Sequence, residues 1–193
     1  MQTRQFDLFL KDREYGPHRA SYGGHLSKGR RKIARPLDRR KPLHLVLKSS
    51  HAKGSLSFLS AKNKLNVEKI FRTRSAQFGV TVQGFENMGN HIHALVKFKR
   101  KDDFQNFLRT VSALIARAVT GARKGKPFGK RFWDALAFTR VVNGLKDLRG
   151  LAKYFVKNEV EREIGAYGRF VIEESERTKK KLKSGRYRIV PLG

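Results

Sequence analysis

VTVQGFENMGNHIHALVKFK, residues 80–99, holds two short runs with the two-residue period of β-strands, parted by a turn signal at Gly89-Asn90. Residues 80–87 and 91–99 therefore predict an antiparallel hairpin. In the second run Ile92, Ala94 and Val96 make an apolar face suited to a core, while His91, His93, Leu95 and Lys97 face the other way. Two imidazoles two residues apart on one strand face point in one direction and can bite a single divalent ion. The same pattern arises when a strand of a basic protein simply exposes two histidines, so His-x-His by itself leaves both readings open.

Outward from the hairpin, LHLVLKS at 43–49 alternates as a strand, with Leu43, Leu45 and Leu47 on one face and His44, Val46 and Lys48 on the other. Residues 61–78 read as a helix with Leu65, Ile70, Phe71 and Phe78 among its apolar positions. Asp102 and Asp103 open a second helix, where they suit the positive end of its dipole, and Phe104, Phe107, Leu108, Val111, Leu114, Ile115 and Ala118 recur at three- and four-residue spacing. FWDALAFTRVV, 132–142, is a further strand candidate, and 145–163 reads as a last helix. The order β-α-β-β-α-β-α predicts an α+β fold: a ferredoxin-like split βαβ antiparallel sheet with helices packed on it, plus an added C-terminal helix. Residues 1–41 are expected to be a basic N-terminal arm, 42–165 the folded domain and 166–193 a basic C-terminal tail.

Forty-four Lys and Arg stand against sixteen Asp and Glu in 193 residues, a formal net charge of +28. Repulsion on that scale asks for a polyanion partner, and nucleic acid is the obvious one; a ribosomal or chromatin protein would be as basic. There are no cysteines, which excludes thiol nucleophiles, thiolate metal sites and disulfides. No apolar run has membrane-spanning length and the first residues are charged, so no membrane partner and a cytoplasmic, nucleoid-associated location are expected. Two basic clusters are candidate DNA contacts: Arg30, Arg31, Lys32, Arg35, Arg39, Arg40 and Lys41 in the arm, and Arg123, Lys124, Lys126, Lys130 and Arg131 in the loop 121–131. Phe128, Phe132 and Trp133 interleave with the second cluster, where they can stack on unpaired bases or pack into a core.

In the last helix Leu145, Leu148, Ala152 and Phe155 make an apolar stripe, with Tyr154 and Asn158 together on its flank, four residues apart. On spacing alone Tyr154 is either a half-packed edge residue or a group whose hydroxyl reaches the same space as the Asn158 amide.

The run Asn87-Met88-Gly89-Asn90-His91-Ile92-His93-Ala94-Leu95-Val96 resembles the signature strand of the HUH single-tyrosine transposases, in particular the REP-associated tyrosine transposases, whose usual form is Met-Pro-Asn-His-hydrophobic-His. The later Tyr154-x-x-x-Asn158 pair and the segments RPLDRRKPLHLVLKSS and FWDALAFTRVV are similar to other parts of that family, so the resemblance spans roughly residues 30–163. It implies that Tyr154 is the nucleophile, making a 5′-phosphotyrosine, and that the added helix is catalytic. It further implies that His91, His93 and Asn158 hold a divalent metal, Mg²⁺ or Mn²⁺, and that the substrate is single-stranded or hairpin DNA handled by a monomer or homodimer. Gly89 stands where the family often has proline, and Glu159 where a proline often follows the asparagine. A non-catalytic nucleic-acid-binding module on the same plan, and a relaxase or replication-initiator nuclease, are the competing readings. The order of His-x-His before Tyr favours the transposase branch over the latter.

Overall fold

The computed structural model describes residues 21–24 and 34–153, together with Val156, Val160, Ile164 and Glu176. Its elements are β1 (Ser21–Tyr22), β2 (Leu43–Lys48), α1 (Lys64–Gln77), β3 (Val80–Asn87), β4 (His91–Phe98), α2 (Lys101–Thr120) and β5 (Phe138–Val141). They form a five-stranded sheet in the order β1-β5-β2-β4-β3, every neighbouring pair antiparallel. Without β1 this is the strand order of the ferredoxin-like plan, and the α+β class and hairpin follow the sequence expectation. The chain divides into two units, residues 1–148 and 149–193. All the elements named here lie in the first; in the second, 149–153 and the four further described positions are helical.

Alternation along β2 and β4 fixes the core. The register sets Leu43 against Val96, Leu45 against Ala94 and Leu47 against Ile92, so the apolar sets of both strands share one face. Val67 and Phe71 of α1 pack in the same cluster with Phe104, Phe107, Val111, Ile115 and Val119 of α2. Phe71 meets Phe107 edge to face at 5.3 Å, and Phe98 stacks on Phe104 at 4.9 Å. Each buried phenylalanine contributes about 1.5–3 kcal/mol by removal from water. The α2 stripe follows the three- and four-residue spacing closely, and Gly121, at φ 70°, ends the helix in the left-handed region with its N–H on the Arg117 carbonyl.

Three expectations shift. Leu65, taken as an apolar position of α1, is 76% exposed, and the helix buries Val67, Phe71 and Ser75 instead. Leu145, expected in the last helix's stripe, is also exposed, while Leu151 is buried. Of residues 132–142 only Phe138–Val141 pair as a strand. Asp134 explains the difference: its N–H donates to the Lys48 carbonyl (3.1 Å) and its carboxylate accepts the Ser50 N–H (2.7 Å). These bonds fold residues 131–137 across the end of β2 as a loop, and Phe132 turns into the core.

Part of the expected arm is built into the sheet. Ser21 and Tyr22 pair with Arg140 and Thr139 of β5. Gly23, at φ 83°, is required there, because a Cβ would lie 2.2 Å from the Ala137 carbonyl oxygen.

Candidate functional site

The second face of the sheet carries the titratable groups. Register places Lys48 opposite His91, Val46 opposite His93 and His44 opposite Leu95, while Glu86 of β3 also lies opposite His93. Side chains at opposed positions share a face, so His44, His91, His93 and Glu86 gather on it. All four are buried, with 4–6% exposure.

The turn before β4 sets where His91 begins. Gly89 has φ 85° and its N–H donates to the Asn87 side-chain oxygen (3.0 Å), while the Met88 N–H donates to the His91 carbonyl (2.9 Å). The loop after β2 clamps this turn: Phe58 N–H bonds the Gly89 carbonyl, Ser49 N–H bonds the Asn90 carbonyl, and the Asn87 amide donates to the Phe58 carbonyl. A proline, fixed near φ −65°, cannot occupy position 89 in this turn. Gly89 thus sets the conformation of the turn that delivers Asn-His-x-His.

Asn90 Oδ1 lies 2.6 Å from His91 Nδ1. An amide oxygen only accepts, so His91 donates from Nδ1 and carries its lone pair on Nε2. His93 Nδ1 lies 3.1 Å from His44 Nε2, with those rings stacked at 5.3 Å. The His91 and His93 rings are perpendicular, their centroids 4.8 Å apart. Burial pushes the His44 imidazole down to about 3, helped by the Arg140 charge. Burial lowers His91 to about 4, with Lys48 adding to it, and holds His93 well below the usual histidine range, with His44 and His91 contributing. The site therefore presents neutral imidazoles near neutrality, the form that binds a metal.

These two imidazoles fit a first-row divalent ion as part of a ligand set, with the outer nitrogen of His91 fixed as the lone-pair atom. Among the described residues no three His, Cys, Asp or Glu side chains could hold a metal ion together. The third expected ligand, Asn158, and the expected nucleophile, Tyr154, lie outside the described residues. In residues 144–148, which are helical, Asp147 accepts from Arg140 of β5 at 2.7 Å and from the Asn143 N–H at 2.8 Å.

The basic clusters divide. Arg30, Arg31 and Lys32 lie outside the described residues. Arg35 is spent internally: its guanidinium stacks 4.4 Å over the Tyr22 ring and donates to the Ala137 carbonyl and the Thr139 hydroxyl. Arg39 and Arg40 are exposed and, with Arg100 and Lys101, line an open cleft of about 640 Å³ at the far end of β2 and β4 from His91. Lys41 bonds the Asn143 side chain. Arg123, Lys124, Lys126, Lys130 and Arg131 all lie at the surface; Arg123 and Lys126 close a tight turn on each other, and Lys130 lies over the Phe128 ring. His44, Glu86 and Asn90 belong to the site beyond the expected ligands. His44 had a signal in the sequence through its place on the polar face of its strand, and Asn90 through its place in the quoted signature; Glu86 had none of its own.

Comparison with known proteins gives a family and a fold. Residues 43–158 match the family of IS200-like transposases. A solved structure of the REP-associated tyrosine transposase bound to a REP hairpin is similar over 68% of this chain and 74% of that one, at 14% identity and a TM-score of 0.53. A protein assigned as a transposase in Deinococcus radiodurans R1 aligns with 66% of this chain and 97% of its own, at 16% identity and a TM-score of 0.41. No curated protein matches.

Proposed function

Since the chain belongs to the IS200-like transposase family, we propose that it cuts and rejoins single-stranded DNA beside hairpins, with Tyr154 as the nucleophile. The phenol oxygen of Tyr154 attacks the scissile phosphorus, the bond from phosphorus to the 3′ oxygen breaks, and the phenol proton ends on the released 3′ hydroxyl. One strand is left as a 5′-phosphotyrosine. An incoming 3′ hydroxyl reverses these bond changes and restores the phenol, so the strands rejoin without ATP.

His91 and His93, through their outer nitrogens, together with the Asn158 amide oxygen, would hold a Mg²⁺ or Mn²⁺ ion; two imidazoles make Mn²⁺ the better fit. Such an ion, when bound, polarises the scissile phosphate and offsets charge gained in attack. Asn90 holds the His91 ring in its tautomer. His93 acts as a ligand through Nε2 only if its Nδ1 donates, which assigns His44 Nε2 the accepting role. The observation that carries the reading is this pair of buried, neutral imidazoles on one strand face, each held by a hydrogen bond at Nδ1.

Exposed cations at Arg39, Arg40 and in the loop 121–131 hold backbone phosphates, and the protein works on DNA at the nucleoid, as monomer or homodimer. The test is covalent trapping: protein with Mn²⁺ and labelled single-stranded hairpin oligonucleotides on a denaturing gel, beside Tyr154→Phe. A slow-migrating adduct that needs both Mn²⁺ and Tyr154 is expected. Tight binding to a hairpin strand with neither adduct nor cleavage would leave a nucleic-acid-binding module.

A further inference from the structure

Between α2 and the loop 131–137 runs a cleft of about 500 Å³, roomy enough for a nucleobase with its sugar. Its walls are apolar: Leu47 and Leu108 on one side, Phe132, Trp133 and Leu136 on the other. Leu136 is 54% exposed at the rim. Around this apolar interior stand Gln105, Arg109 and Arg131, all exposed, and none of the three side chains makes a hydrogen bond or ion pair among the described residues. No acidic residue lines the cleft.

Its frame is continuous with the histidine site. Trp133 is held by its indole N–H on the Ser112 carbonyl of α2, and the loop is tied to β2 by Asp134 and by the Ser49 hydroxyl on the Phe132 carbonyl. Ser49 in turn bonds Asn90, the residue beside His91.

We propose that this cleft is a subsite for one unpaired nucleotide of the DNA strand, its base entering the apolar interior and its phosphates meeting Arg109 and Arg131. Flat apolar walls accept the face of any base, and Gln105, with both donor and acceptor atoms, meets a base edge. The positive rim with no carboxylate selects a polyanion over an acidic or neutral peptide. The assignment rests on the proposed action on single-stranded DNA and deepens it, by having the protein touch bases and not only phosphates.

Trp133 is the chain's one tryptophan, so its emission reports the cleft directly. Full-length protein carrying Tyr154→Phe would be titrated with a dye-labelled hairpin oligonucleotide bearing a single-stranded flank, and with the same molecule made abasic through the flank. Anisotropy reads binding, and indole fluorescence reads the cleft. The expected result is tighter binding of the base-bearing flank by about tenfold, the scale of one stacked base, with a saturable change in indole emission that the abasic flank does not produce. Gln105→Ala, at an exposed helix position that leaves packing untouched, should remove much of that preference while its abasic binding stays the same, and Arg109→Ala should weaken the base-bearing and abasic flanks alike.

Equal affinity for the two flanks, or DNA binding with unmoved emission, would overturn the subsite. The adduct gel on the unsubstituted protein separates the two ideas. Adduct without base preference sinks the cleft and leaves the nuclease; base preference without adduct sinks the nuclease and leaves the cleft.

Discussion

Nε2 of His44 lies 3.1 Å from Nδ1 of His93, and the two ring planes are within 13° of parallel. If this pairing fixes the outer nitrogen of His93 as the lone-pair atom, residue 44 must accept a hydrogen bond. His44→Leu should then weaken Mn²⁺ binding by about 10- to 100-fold, the usual scale for removing the hydrogen-bond partner of a metal-bound imidazole. His44→Gln, whose side-chain oxygen accepts, should recover part of that affinity. Free Mn²⁺ counted by electron paramagnetic resonance, with no DNA present, checks this; a Leu variant that binds as tightly as the parent removes His44 from the site.

The turn that launches β4 gives a stability test. Gly89 sits at φ 85°, and a Cβ there would lie 3.2 Å from the Ser57 hydroxyl. Gly89→Ala should cost about 1–2 kcal/mol from backbone conformation alone, read from urea unfolding. Gly89→Pro should be worse and should also lower Mn²⁺ affinity, although proline is frequent at this place in similar transposases. Tolerance of proline would mean that the turn rebuilds itself without moving His91.

Arg35 separates structure from DNA binding. Its side chain ties Tyr22 to Ala137 and Thr139. Arg35→Ala should raise amide hydrogen exchange at Ser21 and Tyr22 while leaving the salt dependence of DNA binding unchanged. A fall in the salt slope with unchanged exchange would make it a phosphate ligand after all.

For Arg39 and Arg40 the expectation reverses. Substituting both with alanine should leave hydrogen exchange in the sheet unchanged and reduce the slope of log K against log salt by about 1.4 for single-stranded DNA, near 0.7 for each phosphate no longer neutralised. A smaller drop would move DNA off the cleft they share with Arg100 and Lys101.

Truncation follows from the same division of the arm. Removing residues 1–20 should preserve the folded domain, whereas removing 1–41 takes β1 and Arg35 away and leaves β5 as a bare sheet edge. The longer truncation should therefore lower the melting temperature and promote association, measured by scanning calorimetry and light scattering.

The parts of the fold that sequence made legible are those with a strict period and one buried face. Ile92, Ala94 and Val96 against His91 and His93, and Phe104 through Ile115, admit one orientation each, so hairpin, strand and helix could be placed. α1 is barely amphipathic, and an apolar residue such as Leu65 carried no phase information. FWDALAFTRVV looked like one strand because an apolar run has no signature separating a buried strand from a loop that buries its aromatics; the Asp134 bonds that split it join residues far apart in sequence. Ser21–Tyr22 is too short to show any period. At the site, the two-residue spacing gave the His91–His93 pair. The hairpin brought Glu86's strand beside β4 but not its register, and His44, though on the polar face of its strand, depended on that strand flanking β4 on the other side, a matter of pairing.

Loop 131–137 is fastened to β2, to the Ser50 N–H just beyond it and to α2 by the Asp134 N–H and carboxylate, the Phe132 carbonyl and the Trp133 indole. Its remaining side chains are thereby released from architectural duty. With the cleft acting as the proposed base subsite, exchanging Arg131, Ala135 or Leu136 would alter which strand it accepts without disturbing the backbone bonds that hold the histidine strand.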